Sequence, residues 1–411
     1  MHTDCLILGG GAAGLAACAR LAQTGMRVAL IERLDRVGKK IMASGNGRCN
    51  LSNADMNPAY YGKAAPFVAR VYEKTPPCEV LAFFSSLGLM TAQEEGRIYP
   101  RTMMASSVLD VLRMGCDREN VALLTGQEIV SLTPSRRGIW CAQLSGGKGV
   151  FAPAVLCAMG GSAAPHLGTD GAGTRLLHAL GHSVTPLQPA LVQLRCDHSA
   201  LRSLKGVRAQ ARLTLEIDGR ATAQETGELL FADYGVSGVC VFQLSGLAAD
   251  ALAKKRRVTL FVHLLPDLAE DDVPAWLDAR IAAQPQASAQ SLLTGVFPRL
   301  LTLAVLKEAG ISPDAQADRL SAASRAALAG AITAFPLPVT GTQGFKNAHV
   351  TRGGVALDEI DPDTMASRLF DGLYLAGEVL DVDGPCGGYN LHFAFASGLT
   401  AAKAMRAQLR A

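Results

Sequence analysis

No two of the ten cysteines stand in a CxxC spacing; they are scattered singly through 411 residues. That argues against a zinc or iron–sulfur centre and for free thiols in a reducing compartment. No uninterrupted apolar run reaches the roughly 18 residues needed to cross a bilayer. No basic n-region precedes CLILGGGAAGLAACARL, and glycines stand where a signal sequence would be apolar. These absences lead to the expectation of a cytoplasmic protein. Charge is also scarce. The formal net charge is +3, with 18% charged and 49% hydrophobic residues. Nothing in that balance favours nucleic acid or an anionic membrane as a partner, and no metal site is expected. What remains is a globular composition, long enough for two or three domains with a sizeable core.

The first thirty residues alternate strand, glycine turn, helix and strand: TDCLILGG, AAGLAACARLAQTG, MRVALIER. This is a βαβ unit, the start of a parallel sheet. Residues 34–62 are loop-rich. Helical patterns are predicted at Pro66–Tyr72, Cys78–Leu87 and Ala105–Asp117, and strands at Val121–Leu124, Glu128–Leu132, Ile139–Leu144 and Ala154–Met159. Near Pro189 the pattern changes. Ala209, Ala211, Leu213, Leu215 and Ile217 alternate with polar residues, and Glu228–Phe231, Val239–Leu244 and Val258–Leu264 extend the β character. Residues 271–333 read as helices. Strand-like text returns at Phe335–Thr340, Gly354–Leu357 and DGLYLAGEVL. The simplest organisation is one α/β nucleotide-binding domain built from both ends of the chain, here 1–188 plus 341–411. An inserted β domain (189–265 plus 334–340) is itself interrupted by a helical subdomain (266–333).

Three motifs carry chemistry. GGGAAG, Gly9 to Gly14, fits G-x-G-x-x-G between a strand and a helix, and Glu32 ends the next strand eighteen residues past Gly14. Gly9 permits the tight turn, Gly11 lets a pyrophosphate approach, Gly14 lets helix and strand pack, and Glu32 suits a ribose diol. The motif does not separate NAD from FAD. SGNGRCN, Ser44 to Asn50, places two glycines and Arg48 in a loop able to bind phosphate or pass close to a ring. DGPCGGYNLHFAFASG, Asp383 to Gly398, puts a glycine pair before an apolar helix, with Asn390 as expected N-cap and a start near Leu391. Such a helix end favours a negatively charged partner. With no second strand–GxGxxG–helix unit in the chain, these features lean towards FAD, whose reduced N1–C2=O edge carries that charge.

GGGAAGLAA, GKKIMASGNGRCNLSN, RIYPRTMMASSVLDVL, AMGGSAAPHLGTDGAG, LLFADYGVSG and LYLAGEVLDVDGPCGGYNLHFAFASG occur in this order along essentially the whole chain. Together they resemble the BaiN/YhiN-like flavoproteins, also called aminoacetone-oxidase-like. The resemblance implies a glutathione-reductase-like Rossmann FAD domain from both termini, an inserted β-barrel, a helical cap and non-covalent FAD. It implies that Gly9, Gly11 and Gly14 hold the pyrophosphate and Glu32 the ribose, with Ala13 and Arg33 beside them. Lys40 and Ser44, Gly45, Gly47, Arg48, Cys49 and Asn50 would line the dinucleotide and flavin, and Ile129 would meet the adenine. Gly160 and Gly161 match an A-T-G-G turn in which Met159 replaces Thr. Gly377, Glu378 and Asp381 would lie by the ribityl chain, and Gly388, Tyr389, Asn390 and Leu391 by the isoalloxazine.

For catalysis the candidates are Tyr389, His392 and Tyr99 as proton donors, with Arg48 and Arg101 binding or polarising a carbonyl. His392 stands where the family suggests Gln, and packing is its plainer role. Cys49 and Cys386 are the thiols expected nearest the flavin; small residues in tight turns explain them without redox chemistry. The resemblance implies reduction of a steroid-like enone, or amine oxidation with peroxide release. A non-catalytic flavin protein also stays open. NAD(P)H or an electron-donor protein would supply electrons, and RNA modification is disfavoured by the near-neutral charge.

Overall fold

The computed structural model describes residues 1–135 and 138–410. It divides into two compact units, Met1–Gln188 with Val350–Ala411, and Pro189–His349.

The first unit is organised by a five-stranded parallel sheet. Its strands are β1 (Cys5–Leu8), β2 (Val28–Ile31), β3 (Val121–Leu124), β4 (Ala154–Cys157) and β5 (Leu373–Leu375), in spatial order β5-β4-β1-β2-β3. Cys5 faces Val28 on one side and Ala154 on the other, and the register holds without a slip to Leu8. Every residue of β1, β2 and β4 is buried, so these strands read as unbroken apolar runs, as a sheet covered on both faces requires. Two helices cross beside the nucleotide turn: α1 (Ala12–Ala22) and α2 (Tyr389–Gln408). They meet closely because Gly398 has no side chain; a Cβ there would lie 2.4 Å from the Ala13 carbonyl oxygen. Thus the first and last segments of the chain share one core. A second sheet, Ile129–Pro134, Trp140–Leu144 and Gly149–Ala152, is antiparallel.

The second unit contains a closed six-stranded barrel. Around it run Leu194–Cys196, Gly235–Ser237, Arg220–Ala232, Arg208–Ile217, Val258–His263 and Phe335–Thr342, the last pairing back onto the first. Inward Ala211, Leu213, Leu215 and Ile217 are buried, which is the alternation seen in the sequence. Helices Val273–Ala283, Arg299–Glu308 and Ala322–Thr333 share the barrel's core. The unit runs to His349, past the boundary at 341 drawn from the sequence.

Three expectations about local structure are corrected. Val239–Leu244 is not a strand but the start of a fifteen-residue helix, Val239–Ala253. Its first turns are apolar enough for either reading, and the alanine-rich continuation decides for helix. Gly354–Leu357 is not a strand. Gly353 and Gly354 take φ of +87° and +155°, and Val355 alone makes isolated bridges, to Val184 and Leu380. Finally, α2 starts at Tyr389, with Gly388 at the cap in the left-handed region (φ +100°). Asn390 lies inside the first turn and does other work, described below.

Candidate dinucleotide and redox site

Gly9 must be glycine because it turns at φ +102° with the Ala158 carbonyl oxygen 2.5 Å from where a Cβ would stand. A Cβ on Gly14 would stand 2.0 Å from the Gly9 carbonyl oxygen, so this glycine sets the packing of α1 on β1. Gly11 is different. Its φ is −87°, and a Cβ would meet no atom within 4 Å. Packing among the described residues does not demand glycine there. A ligand approaching the amides at the start of α1 would. Glu32, just past β2, receives the Gly10 amide at 2.8 Å and the Leu34 amide at 2.9 Å. A carboxylate accepts about four hydrogen bonds, so two remain for a diol. Arg33 pairs with Asp170 at 2.7 Å. Ala13 packs under the turn, 3.1 Å from where a Cβ on Gly377 would stand. Ile129 opens the antiparallel sheet opposite Leu144, and the preceding Gln127 amide donates to the Glu32 carbonyl (3.0 Å), so this segment is tied to the end of β2.

Lys40 forms a 2.6 Å ion pair with Glu378. The other Glu378 oxygen accepts the Thr351 amide at 2.8 Å, and the Thr351 hydroxyl accepts the Ser162 and Ala163 amides at 2.7 and 2.9 Å. Gly160, at φ +73°, and Gly161 fit against this group; a Cβ on Gly161 would stand 2.4 Å from the Thr351 hydroxyl. Thr351, a residue the sequence did not single out, thus supplies a hydroxyl to the turn that follows Met159. Asp381 is half-buried beside the Gly377–Glu378 turn, its amide bonded to the Val355 carbonyl at 3.1 Å.

The Ser44–Asn50 loop is tightly wound. Gly45, Asn46, Gly47 and Cys49 all have positive φ, and the Cys49 amide closes onto the Ser44 carbonyl at 3.0 Å. Non-glycine residues pay strain in that region, and such strain gathers at functional sites. The Arg48 guanidinium lies 4.4 Å over the Tyr99 ring, pairs with Glu94 and touches the Met103 sulfur at 3.3 Å. Cys49 is fully buried, and burial pushes its thiol up to about 11. Burial thus favours the protonated thiol at neutral pH. Cys386 is half-buried. Arg101 is exposed, its amide bonded to the Met90 carbonyl at 2.8 Å.

The amides of Tyr389, Asn390 and Leu391 begin α2, and the first bond within the helix is from His392 N–H to Gly388 O at 3.0 Å. Those three amides have no partner inside the helix and sit at its positive end. Asn390 holds the approach loop: its Oδ1 accepts the Gly384 amide (2.8 Å) and its Nδ2 donates to the Gly384 and Pro385 carbonyls (2.8 and 3.3 Å). Asn390→Ala is expected to release this loop and to cost about 2 kcal/mol of stability, from the loss of bonds each contributing about 1 kcal/mol; urea unfolding checks it. A Cβ on Gly388 would stand 2.3 Å from the Ser52 carbonyl oxygen and 2.8 Å from Asn50 Oδ1, a buried oxygen without a partner among the described residues.

His392 is fully buried, Nδ1 2.8 Å from the Ser52 hydroxyl and its ring edge-on to Tyr72 at 5.4 Å. Burial lowers its pKa to about 3, so it is neutral and enclosed. It packs behind the helix, with Nδ1 engaged by Ser52. Burial raises the pKa of the Tyr389 phenol, with Asp55 adding to the shift. Tyr61, missed by sequence reasoning, donates its hydroxyl to the Tyr389 carbonyl at 2.8 Å and shares a 2.7 Å bond with Tyr72. Only the repeated aromatics of NPAYYGK hinted at it.

Among the described residues there is no cluster of ligands for a metal ion, and no helix is long and apolar enough to cross a membrane. The strand–turn–helix with its open Gly11, and the paired Lys40–Glu378 behind the glycine turns, define a Rossmann-type dinucleotide fold. Residues 3–404 match the family described as HI0933-like protein Rossmann domain, and the chain belongs to that family. It is 38% identical over 401 residues to the 3-dehydro-bile acid delta(4,6)-reductase of Clostridium scindens, covering 97% of this chain and 98% of that one. It is also 29% identical over 405 residues to the ribosomal RNA dihydrouridine synthase of Escherichia coli, 97% of each chain. Among solved structures, 3-ketosteroid delta1-dehydrogenase from Sterolibacterium denitrificans superposes with a TM-score of 0.55 at 13% identity, covering 99% of this chain and 100% of that one. That likeness is one of fold.

Proposed function

We propose that this protein is an FAD-dependent oxidoreductase that reduces a carbon–carbon double bond conjugated to a carbonyl, of the kind found in 3-oxo steroids and bile-acid-like enones. The observation that carries the reading is the 38% identity, end to end, with a reductase of that substrate class. The residues fit the cofactor. Gly11 leaves room that protein packing does not use, and Glu32 keeps acceptor capacity for a ribose. Gly9 and Gly14 shape the pyrophosphate turn. Lys40, Glu378 and Asp381 would hold the middle of the molecule, and the Ser44–Asn50 loop and the Gly388–Leu391 amides its flavin end. The layout is that of an FAD domain from both termini with a barrel insertion and a helical subdomain.

When bound, FAD would supply a hydride to the β-carbon of the enone, and the α-carbon would take a proton, for which Tyr389 and Tyr99 are the candidate donors. The chain's part is to bind, orient and polarise. Arg48, fixed over Tyr99, carries donors suited to the carbonyl oxygen on which charge develops. The amides at the start of α2 favour negative charge on the cofactor's pyrimidine edge. NAD(P)H or a donor protein would supply the electrons.

A second reading is favoured by the identity with the dihydrouridine synthase: the C5=C6 bond of uracil is also conjugated to a carbonyl, so the same site chemistry would serve it. An anaerobic test separates the readings. The holoprotein is reduced with NADH, NADPH or dithionite and then given a 3-oxo-Δ4 steroid, unmodified ribosomal RNA, or air. Reoxidation by the steroid with formation of the saturated ketone is expected. Reoxidation by RNA alone transfers the assignment to the nucleic acid. Bleaching by an amine followed by peroxide release in air would make the protein an oxidase, and a flavin that no donor reduces would make it a binding protein.

A further inference from the structure

One aromatic ring near the start of α2 is neither buried nor loose. Tyr60 is 46% exposed, whereas Tyr61, Tyr72, Tyr99 and Tyr389 are all below a tenth. Its position is fixed by a chain of contacts that begins at the glycine loop. Asn53 Nδ2 donates to the Gly387 carbonyl (2.9 Å), and Asn53 Oδ1 accepts the Asp55 amide (3.0 Å). The Tyr60 hydroxyl donates to Asp55 Oδ2 (2.6 Å). The Tyr60 ring then lies 5.1 Å from the ring of Tyr389, tilted by 58°, closing the circuit onto the first residue of α2. Asn57 caps the same short turn by accepting the Ala59 amide at 2.9 Å.

A singly exposed aromatic is ordinary. An exposed aromatic held both at its hydroxyl and by a neighbouring ring is not, because ordering a side chain costs conformational entropy that a surface contact with water does not return. Three side chains, Asn53, Asp55 and Asn57, are committed to presenting one ring face beside the helix end that would meet the flavin. The extended apolar body of a fused-ring molecule packs well against such a face, and the hydroxyl, tied to Asp55, is engaged by the protein.

We infer that Tyr60 is a wall of the substrate site and a specificity-determining residue: its ring receives the flat apolar body of a polycyclic enone. This rests on the reductase reading and adds to it the residue that would receive the fused-ring body of the substrate and so discriminate it from an isolated enone.

The test uses the holoprotein and two enones, a 3-oxo-Δ4 steroid and cyclohex-2-enone, with the Tyr60→Phe and Tyr60→Ala variants. Steroid binding to the oxidised protein is followed by the change in flavin absorbance, and turnover is measured separately. The expected result is that Tyr60→Ala weakens steroid binding and raises its KM about tenfold, leaves kcat within about twofold, and leaves cyclohexenone kinetics unchanged. Tyr60→Phe keeps the ring but loses the Asp55 bond that orders it, so its loss on the steroid should be smaller than that of Tyr60→Ala, with cyclohexenone kinetics unchanged. Equal losses on both enones, or no loss on either, overturn the inference while leaving the reductase assignment intact. Steroid binding that depends on Tyr60 without any reduction upholds the wall and removes the reductase assignment. A wild-type protein that does not bind the steroid overturns the inference.

Discussion

Gly11→Ala is expected to leave the apoprotein almost as stable as wild type while weakening FAD binding about 100-fold or more. The position has an ordinary φ of −87° and open surroundings, so an alanine fits the protein. The folding cost is that of a poorer helix cap, below about 1 kcal/mol. For a pyrophosphate drawn against the first amides of α1, the same methyl stands between ligand and backbone, and about 2.7 kcal/mol of lost contact gives the 100-fold. Gly14→Ala should show the reverse order of cause. Its Cβ would fall 2.0 Å from the Gly9 carbonyl oxygen, which is backbone and cannot rotate away. The helix must shift, and the apoprotein should lose about 2–3 kcal/mol before any ligand is considered. Thermal unfolding of the apoproteins and fluorescence quenching of added FAD separate the two effects. If Gly11→Ala binds FAD as tightly as wild type, the turn is not the seat of the pyrophosphate.

The second large effect is on acid stability. His392 has an ordinary pKa of 6.5 when unfolded and about 3 in the folded protein, because burial excludes the charged form. Between those values the unfolded chain binds a proton that the folded chain refuses. Stability is therefore intact above pH 6.5 and is lost as pH falls towards 3. One unit of pH is worth about 1.4 kcal/mol for one proton, so His392 alone should remove about 2 kcal/mol by pH 5. His392→Gln keeps a polar group able to meet the Ser52 hydroxyl and has nothing to titrate. Urea unfolding at pH 7.5 and pH 5 should show that the variant escapes this loss, with carboxylate titrations common to both proteins cancelling. Equal acid sensitivity in the two proteins would mean that the imidazole takes up a proton in the folded state.

The predictions differ in how far ahead they were legible. The nucleotide turn is a local object. Its glycines are spaced by the geometry of a strand entering a helix, and the residues that need one another lie within a few positions, so the pattern survives in the sequence. The same holds for α1, β1, β2 and the barrel strand Arg208–Ile217, where periodicity and burial agree. Val239–Ala253 was harder because its first turns are apolar throughout and carry no period. Asn390 has the residue type of a cap, yet Gly388, two positions earlier, reaches the left-handed cap conformation at less strain and leaves the Asn390 amide to pin Gly384.

By itself the sequence determined the α/β class, the two-ended Rossmann domain, the glycine turn with Glu32, and the loop and helix end proposed for the flavin. These depend on spacing along the chain. Tertiary structure alone decided which side chains are reachable. His392 and Tyr60 are both chemically able residues close to the start of α2, yet one is sealed against Tyr72 and the other stands 46% exposed on Asp55. It also supplied Thr351 to the Gly161 turn and Tyr61 to the Tyr389 carbonyl, across 190 and 328 residues of chain respectively. Burial and long-range hydrogen bonds depend on what the rest of the chain brings alongside, and no local pattern encodes that.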